Sequence, residues 1–68
     1  MNKSILTKRE TEIFELLILN KSTKEISEEL SISEKTVRNH ISNVMQKLNV
    51  KTRSGAILEL IKLGEISL

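Results

Sequence analysis

Apolar residues in this chain recur at spacings of three and four, the period of helices with one face turned inward, and strand-like alternation is absent. Ile13, Phe14, Leu16 and Leu17 make the first such face. Thr7-Lys8-Arg9-Glu10 stands just ahead of it in the form of a capping box, where the Thr hydroxyl and the Glu carboxylate satisfy backbone N–H groups that a helix start leaves open. This predicts a first helix over about residues 8–19, closed by Asn20 and Lys21. Ser22-Thr23-Lys24-Glu25 is a second capping box, opening a short helix over about residues 23–30 whose inward residues are Ile26 and Leu30.

Ser31-Ile32-Ser33 breaks the pattern, because two Ser hydroxyls compete for backbone hydrogen bonds, and Ser33 can then cap a third helix with Glu34 well placed in its first turn. A short helix, a tight joint and a longer helix follow one another here. The third helix, about residues 34–48, carries Val37, Ile41, Val44, Met45 and Leu48 in one stripe about 100° wide, with Met45 as gap-filling core at its edge. Asn49, which tolerates the left-handed conformation, stops it. A fourth helix over about residues 53–63 has Thr52 as N-cap and Gly64 as C-cap, with Gly55 a poor helix former inside its first turns. Ala56, Leu60 and Leu63 share one line along it, Ile57 and Ile61 flank that line, and Leu58 lies on another side. One small core face needs less apolar surface than this, so the excess is covered by a partner or by the chain's own Ile66 and Leu68.

The fold class is therefore all-α: a compact four-helix helix-turn-helix domain, with residues 1–68 as a single unit. Sixty-eight residues leave no room for a dinucleotide-binding fold or a barrel, and no nucleophile–base constellation or cofactor motif is present, so an enzyme is not expected and no cofactor is implied. There is no Cys and a single His, His40, with no second His and no nearby acid set, which argues against a metal centre and assigns His40 a packing or hydrogen-bonding role beside the apolar stripe. No stretch approaches the roughly 18 apolar residues of a membrane span, and the missing cysteines fit the cytoplasm.

Net charge is only +2, but its distribution is uneven: −2 over residues 1–34, +5 over residues 35–53, and −1 over the remainder. The basic window of Lys35, Arg38, Lys47, Lys51 and Arg53 contains no acid. Charge alone suits a solvated helix face as well as a polyanion-binding one. The third helix adds a sharper signal, because Lys35, Arg38, Asn39, Ser42, Asn43 and Gln46 all fall opposite its apolar stripe, in a sector about 140° wide. A solvated face ordinarily mixes Glu with Lys, as the region of Lys24, Glu25 and Glu29 does. An acid-free row of Lys, Arg, Asn, Ser and Gln instead holds the side chains that reach phosphates and base edges, Arg matching guanine and Asn or Gln matching adenine.

Several segments, taken in order, resemble the LuxR-type helix-turn-helix family: Leu6-Thr7-Lys8-Arg9-Glu10, Lys24-Glu25-Ile26, the run Ile32-Ser33-Glu34-Lys35-Thr36-Val37-Arg38-Asn39-His40, Lys47-Leu48 and Arg53-Ser54-Gly55-Ala56. The likeness covers roughly residues 6–66 and is nearest to the small stand-alone members, among them a regulator of sporulation. It implies a bacterial transcription regulator, cytoplasmic and on the nucleoid, that binds double-stranded DNA as a homodimer with the third helix in the major groove of an inverted-repeat site. Carried over by position, Arg38, Asn39 and Ser42 read bases, while Thr23, Lys24, Ser33, Lys35, Thr36 and Lys47 contact or position phosphates. The fourth helix supplies the dimer interface through Arg53, Ser54, Ile57, Leu58 and Ile61. Two departures stand out: Ser27 replaces a frequent Ala and brings a hydroxyl near the core, and Gly55 weakens the fourth helix and with it the dimer.

Relatives that carry a sensing domain place it ahead of this module, and the six residues before Thr7 cannot hold one; Met1 so close to the capping box fits a natural start. Glu12, Glu15, Glu28 and Glu29 give the far side an acidic character suited to RNA polymerase, although solvated helix faces explain them equally. A helical adaptor acting through the fourth helix without DNA is the competing reading, and it leaves the acid-free face of the third helix without a purpose.

Overall fold

Every helix of this protein begins at a hydroxyl. In the computed structural model, which describes residues 5–67, Thr7, Ser22, Ser33 and Thr52 each sit in extended backbone and accept the N–H three residues on, from Glu10, Glu25, Thr36 and Gly55. The helices so started are α1 (Lys8–Ile18), α2 (Thr23–Leu30), α3 (Glu34–Leu48) and α4 (Arg53–Lys62), with no strand among the described residues. Both predicted capping boxes are complete: Glu10 Oε1 accepts the Thr7 N–H at 2.9 Å and Glu25 Oε1 accepts the Ser22 N–H at 2.8 Å.

The helices end on residues that tolerate positive φ, or nearly so. Asn20 (φ 65°) follows α1, Asn49 (φ 56°) follows α3, and Gly64 (φ 74°) follows α4. Ser31 is the exception: it ends α2 at φ 58°, where a Cβ is disfavoured, and the Ile32 N–H closes the turn on the Ser27 carbonyl at 3.0 Å. The joint to α3 is thus three residues long. Ile32 and Val37 occupy the two positions of a hydrophobic staple across the start of α3, and Ile32 packs against the core.

α3 packs against all three other helices, so its axis is set from three sides. Val37, Ile41 and Val44 are buried, and Met45 and Leu48 are half-buried against them, as their stripe predicts. Ile13 and Phe14 of α1, Ile26 of α2, and Ala56 and Leu60 of α4 complete the centre. Leu6 and Ile66, from the flanking segments, are buried with them. No helix of the described residues is long and apolar enough to cross a membrane.

Three details differ from expectation. α1 and α4 each stop one residue earlier than predicted, at Ile18 and Lys62, so Leu19 and Leu63 become caps rather than helical residues. Leu63 keeps helical backbone, with its N–H on the Glu59 carbonyl at 3.0 Å, yet stays 54% exposed instead of sharing the buried line of Ala56 and Leu60. The chain turns at Gly64, the Glu65 N–H returns to the Leu60 carbonyl at 2.9 Å, and Ile66 takes the buried place instead; Leu68, expected beside it, lies outside the described residues. Third, α4 runs unbroken through Gly55, and a Cβ there would stand 3.0 Å from the capping hydroxyl of Thr52. Gly55 therefore lets the cap approach closely rather than merely weakening the helix. Ser27 is buried, and its hydroxyl donates to the Lys24 carbonyl at 2.7 Å, which satisfies it within its own helix.

Candidate nucleic-acid interface

Packing on three sides leaves α3 one free face. Lys35, Arg38, Asn39, Ser42, Asn43 and Gln46, the six residues placed opposite the apolar stripe, are all exposed. Among them the expected base readers Arg38, Asn39 and Ser42 project from the second and third turns of the helix.

The α2–α3 joint sets polar groups at the N-terminal edge of this face. Thr36 N–H donates to Ser33 Oγ at 3.0 Å, and the Ser33 hydroxyl donates to Thr36 Oγ1 at 2.9 Å. This commits the Ser33 proton to Thr36 and leaves the Thr36 hydroxyl proton for another acceptor. Lys24 is exposed in the first turn of α2 beside half-buried Thr23. Among the described residues neither Lys24 nor Lys35 forms an ion pair. Arg38 does: its Nη1 lies 3.6 Å from Glu34 Oε1, one turn earlier, with both side chains about half exposed.

Lys47 is placed differently from the other expected phosphate ligands. Its Nζ donates to Glu10 Oε1 at 2.6 Å and to the Ile5 carbonyl at 3.1 Å, tying the last turn of α3 to the start of α1. Two of its three donors are thereby used inside the protein. Glu10 itself is only 3% exposed. Burial pushes its carboxyl up, but the Lys47 ammonium and the Thr7 backbone N–H more than offset this and hold it below the ordinary value of 4.5. Glu25, the other capping carboxylate, is likewise lowered, chiefly by the Ser22 N–H. The Glu10–Lys47 tie spans 37 positions in the chain, so no local pattern announces it. The available signal was that Glu10 adjoins the inward Ile13 and Phe14 and yet is charged.

α4 presents a second surface. Ser54 and Leu58 are exposed and Ile57 and Ile61 half-buried, and the four fall in a sector about 100° wide, with exposed Arg53 at its margin. Leu58 is 57% exposed, a large apolar side chain at the edge of that sector opposite Arg53. His40 is half-buried on the flank of α3, consistent with a packing role.

Comparison with known proteins identifies the family and agrees with the four-helix fold. The family described as GerE, bacterial regulatory proteins of the luxR family, matches residues 4–60. The spore germination protein GerE of Bacillus subtilis (strain 168) is 66% identical over 67 residues, covering 98% of this chain and 90% of its own length. The transcriptional regulatory protein DegU of Brevibacillus brevis is 52% identical over 60 residues, but there the chain spans only 25% of a longer protein. The solved structure of the transcription factor GerE superposes with a TM-score of 0.93 at 66% identity, covering 96% of this chain and 97% of that one.

Proposed function

This chain belongs to the luxR family of bacterial regulatory proteins, and from that premise we propose that it binds inverted-repeat DNA sites as a homodimer, one α3 in the major groove of each half-site. It is a DNA-binding helix-turn-helix regulator of the GerE type and not an enzyme. The observation that carries the finer reading is the exposed, acid-poor face of α3, held rigidly by three neighbouring helices. In this reading Arg38, Asn39 and Ser42 take the base edges. Lys24 and Lys35 neutralise phosphates, with Thr23, Ser33 and Thr36 fixing the register and Lys47 adding its remaining donor.

The dimer is built on α4, where exposed Leu58 supplies the largest free apolar side chain beside Ser54, Ile57 and Ile61, and Arg53 borders the opposite margin. Two copies related by a two-fold axis would present paired α3 helices to half-sites about one helical turn, roughly 34 Å, apart. Spore germination, the process that names the B. subtilis relative, is the setting this reading gives the protein. Contact with RNA polymerase falls to the acidic faces of α1 and α2. There Glu12 and Glu29 are already paired, with Arg9 at 3.1 Å and Lys21 at 3.8 Å, whereas Glu15 and Glu28 are exposed. Charge reversal at both that leaves DNA binding and transcription intact removes polymerase from the account.

Selection of sites from a random duplex library, followed by affinity measurement for the winner and a scrambled duplex over a salt series, tests the main reading. An inverted repeat bound at least about a thousandfold above the scrambled duplex supports it. No enrichment, with binding that vanishes near physiological salt, leaves only non-specific attraction and favours an adaptor acting through α4.

A further inference from the structure

Glu34 is the one acid on α3, and the acids nearest to it in the chain are Glu29 and Glu59. It sits in the first turn, exposed, at the margin of the face just assigned to DNA. The Ser33 hydroxyl accepts the Thr36 N–H and caps the helix without it. Its partner is Arg38, at 3.6 Å, the residue placed to read a base. As a helix-stabilising pair, two half-exposed side chains four residues apart contribute little. The position is what matters, because a carboxylate beside a phosphate-lined groove opposes binding unless it has a use there.

The chemistry of guanidinium supplies one. Arg has five N–H donors in a planar fork; a guanine edge takes two of them and leaves others for a carboxylate. On a guanine, Arg38 keeps Glu34 as a second acceptor, and the pair enters the groove together. On a phosphate, Arg38 exchanges one anion for another, and Glu34 is left in the field of the backbone with no base contact to offset the repulsion. We propose that Glu34 is a specificity-determining residue, which aligns Arg38 for a base edge and penalises complexes that engage phosphate alone. This rests on the DNA reading above.

The test is a cycle of wild type, Glu34→Gln, Arg38→Ala and the double variant, each titrated with the selected and the scrambled duplex across salt, with helicity checked by circular dichroism. Glu34→Gln is expected to tighten scrambled-duplex binding about five- to tenfold at 0.1 M salt, one further phosphate neutralised at a slope of about 0.9. Binding to the selected duplex should not tighten, so discrimination falls by the same factor. In the Arg38→Ala background the substitution should leave discrimination within about twofold, because the charge no longer has a guanidinium to align. Equal tightening on both duplexes, or a loss of discrimination that persists without Arg38, overturns the proposal by reducing Glu34 to net charge. Failure of the wild type to discriminate at all is a separate result, which overturns the DNA reading itself.

Discussion

Glu10→Ala removes the tie between the start of α1 and the end of α3, and the structure allows its cost to be worked out. The carboxylate accepts from Lys47 Nζ at 2.6 Å and from the Thr7 N–H at 2.9 Å. A hydrogen bond to a charged group contributes about 1.5–3 kcal/mol. The Lys47 side chain keeps 38% of its exposure and rehydrates when released, which lowers that share to about 1–1.5 kcal/mol. The Thr7 N–H loses its capping partner but reaches water, at about 0.5 kcal/mol. The expected loss is therefore about 2 kcal/mol, or roughly 8–16 °C in Tm for a domain of this size. Urea unfolding followed by far-ultraviolet circular dichroism, at one fixed protein concentration, reads it. Lys47→Met and the double variant complete a cycle whose coupling should reach about 1 kcal/mol.

The sign of the pH dependence follows from the lowered carboxyl. The stability Glu10 contributes is fully present above its ordinary value of 4.5 and is lost as pH falls through its lower folded value. The gap between wild type and Glu10→Ala should narrow over that acid range. A loss below about 0.5 kcal/mol at neutral pH, or coupling indistinguishable from zero, would refute the reasoning by showing that Lys47 is equally well served by water.

Ser31→Gly should stabilise the fold by about 0.5–1 kcal/mol, since Ser31 holds φ 58° where glycine carries no Cβ penalty; the same urea titration checks it. Lys35→Ala should weaken selected and scrambled duplexes alike and reduce the salt slope by about one, with fold stability unchanged within about 0.5 kcal/mol. Leu58→Asp should abolish dimerisation, read by analytical ultracentrifugation with and without DNA, while altering monomer stability by less than about 0.5 kcal/mol because the side chain is 57% exposed.

Much of this molecule was legible because its instructions are local. Four hydroxyl caps and two asparagine stops fall within a few residues of the helices they bound, and the stripes through Val37 and Ile13 name their own inward faces. The outward face of α3 was legible for the same reason: once the stripe is placed, helical period assigns the opposite side. What could not be read depends on contacts distant in sequence. Leu6 belongs to no periodic stripe, Ile66 is one of two covers the sequence leaves open for α4, and only the tertiary arrangement shows both buried in the core. Helical period puts Leu63 on the line of Ala56 and Leu60, but the buried place goes to Ile66 beyond the Gly64 turn. Lys47 has the composition of a phosphate ligand, and only folding brings Glu10 and the Ile5 carbonyl to it.

The central claim is that α3 reads base edges, and Arg38 tests it most directly. The measurement is the affinity of wild type and Arg38→Ala for the selected duplex and for every single-base-pair variant of one half-site, at one salt concentration. Wild type should lose about 1–3 kcal/mol when a particular G·C pair is changed, and Arg38→Ala should be indifferent at that pair while keeping its preferences elsewhere. A variant that binds more weakly everywhere but retains the full wild-type profile would contradict the account, leaving Arg38 a phosphate contact and the reading of sequence to some other surface.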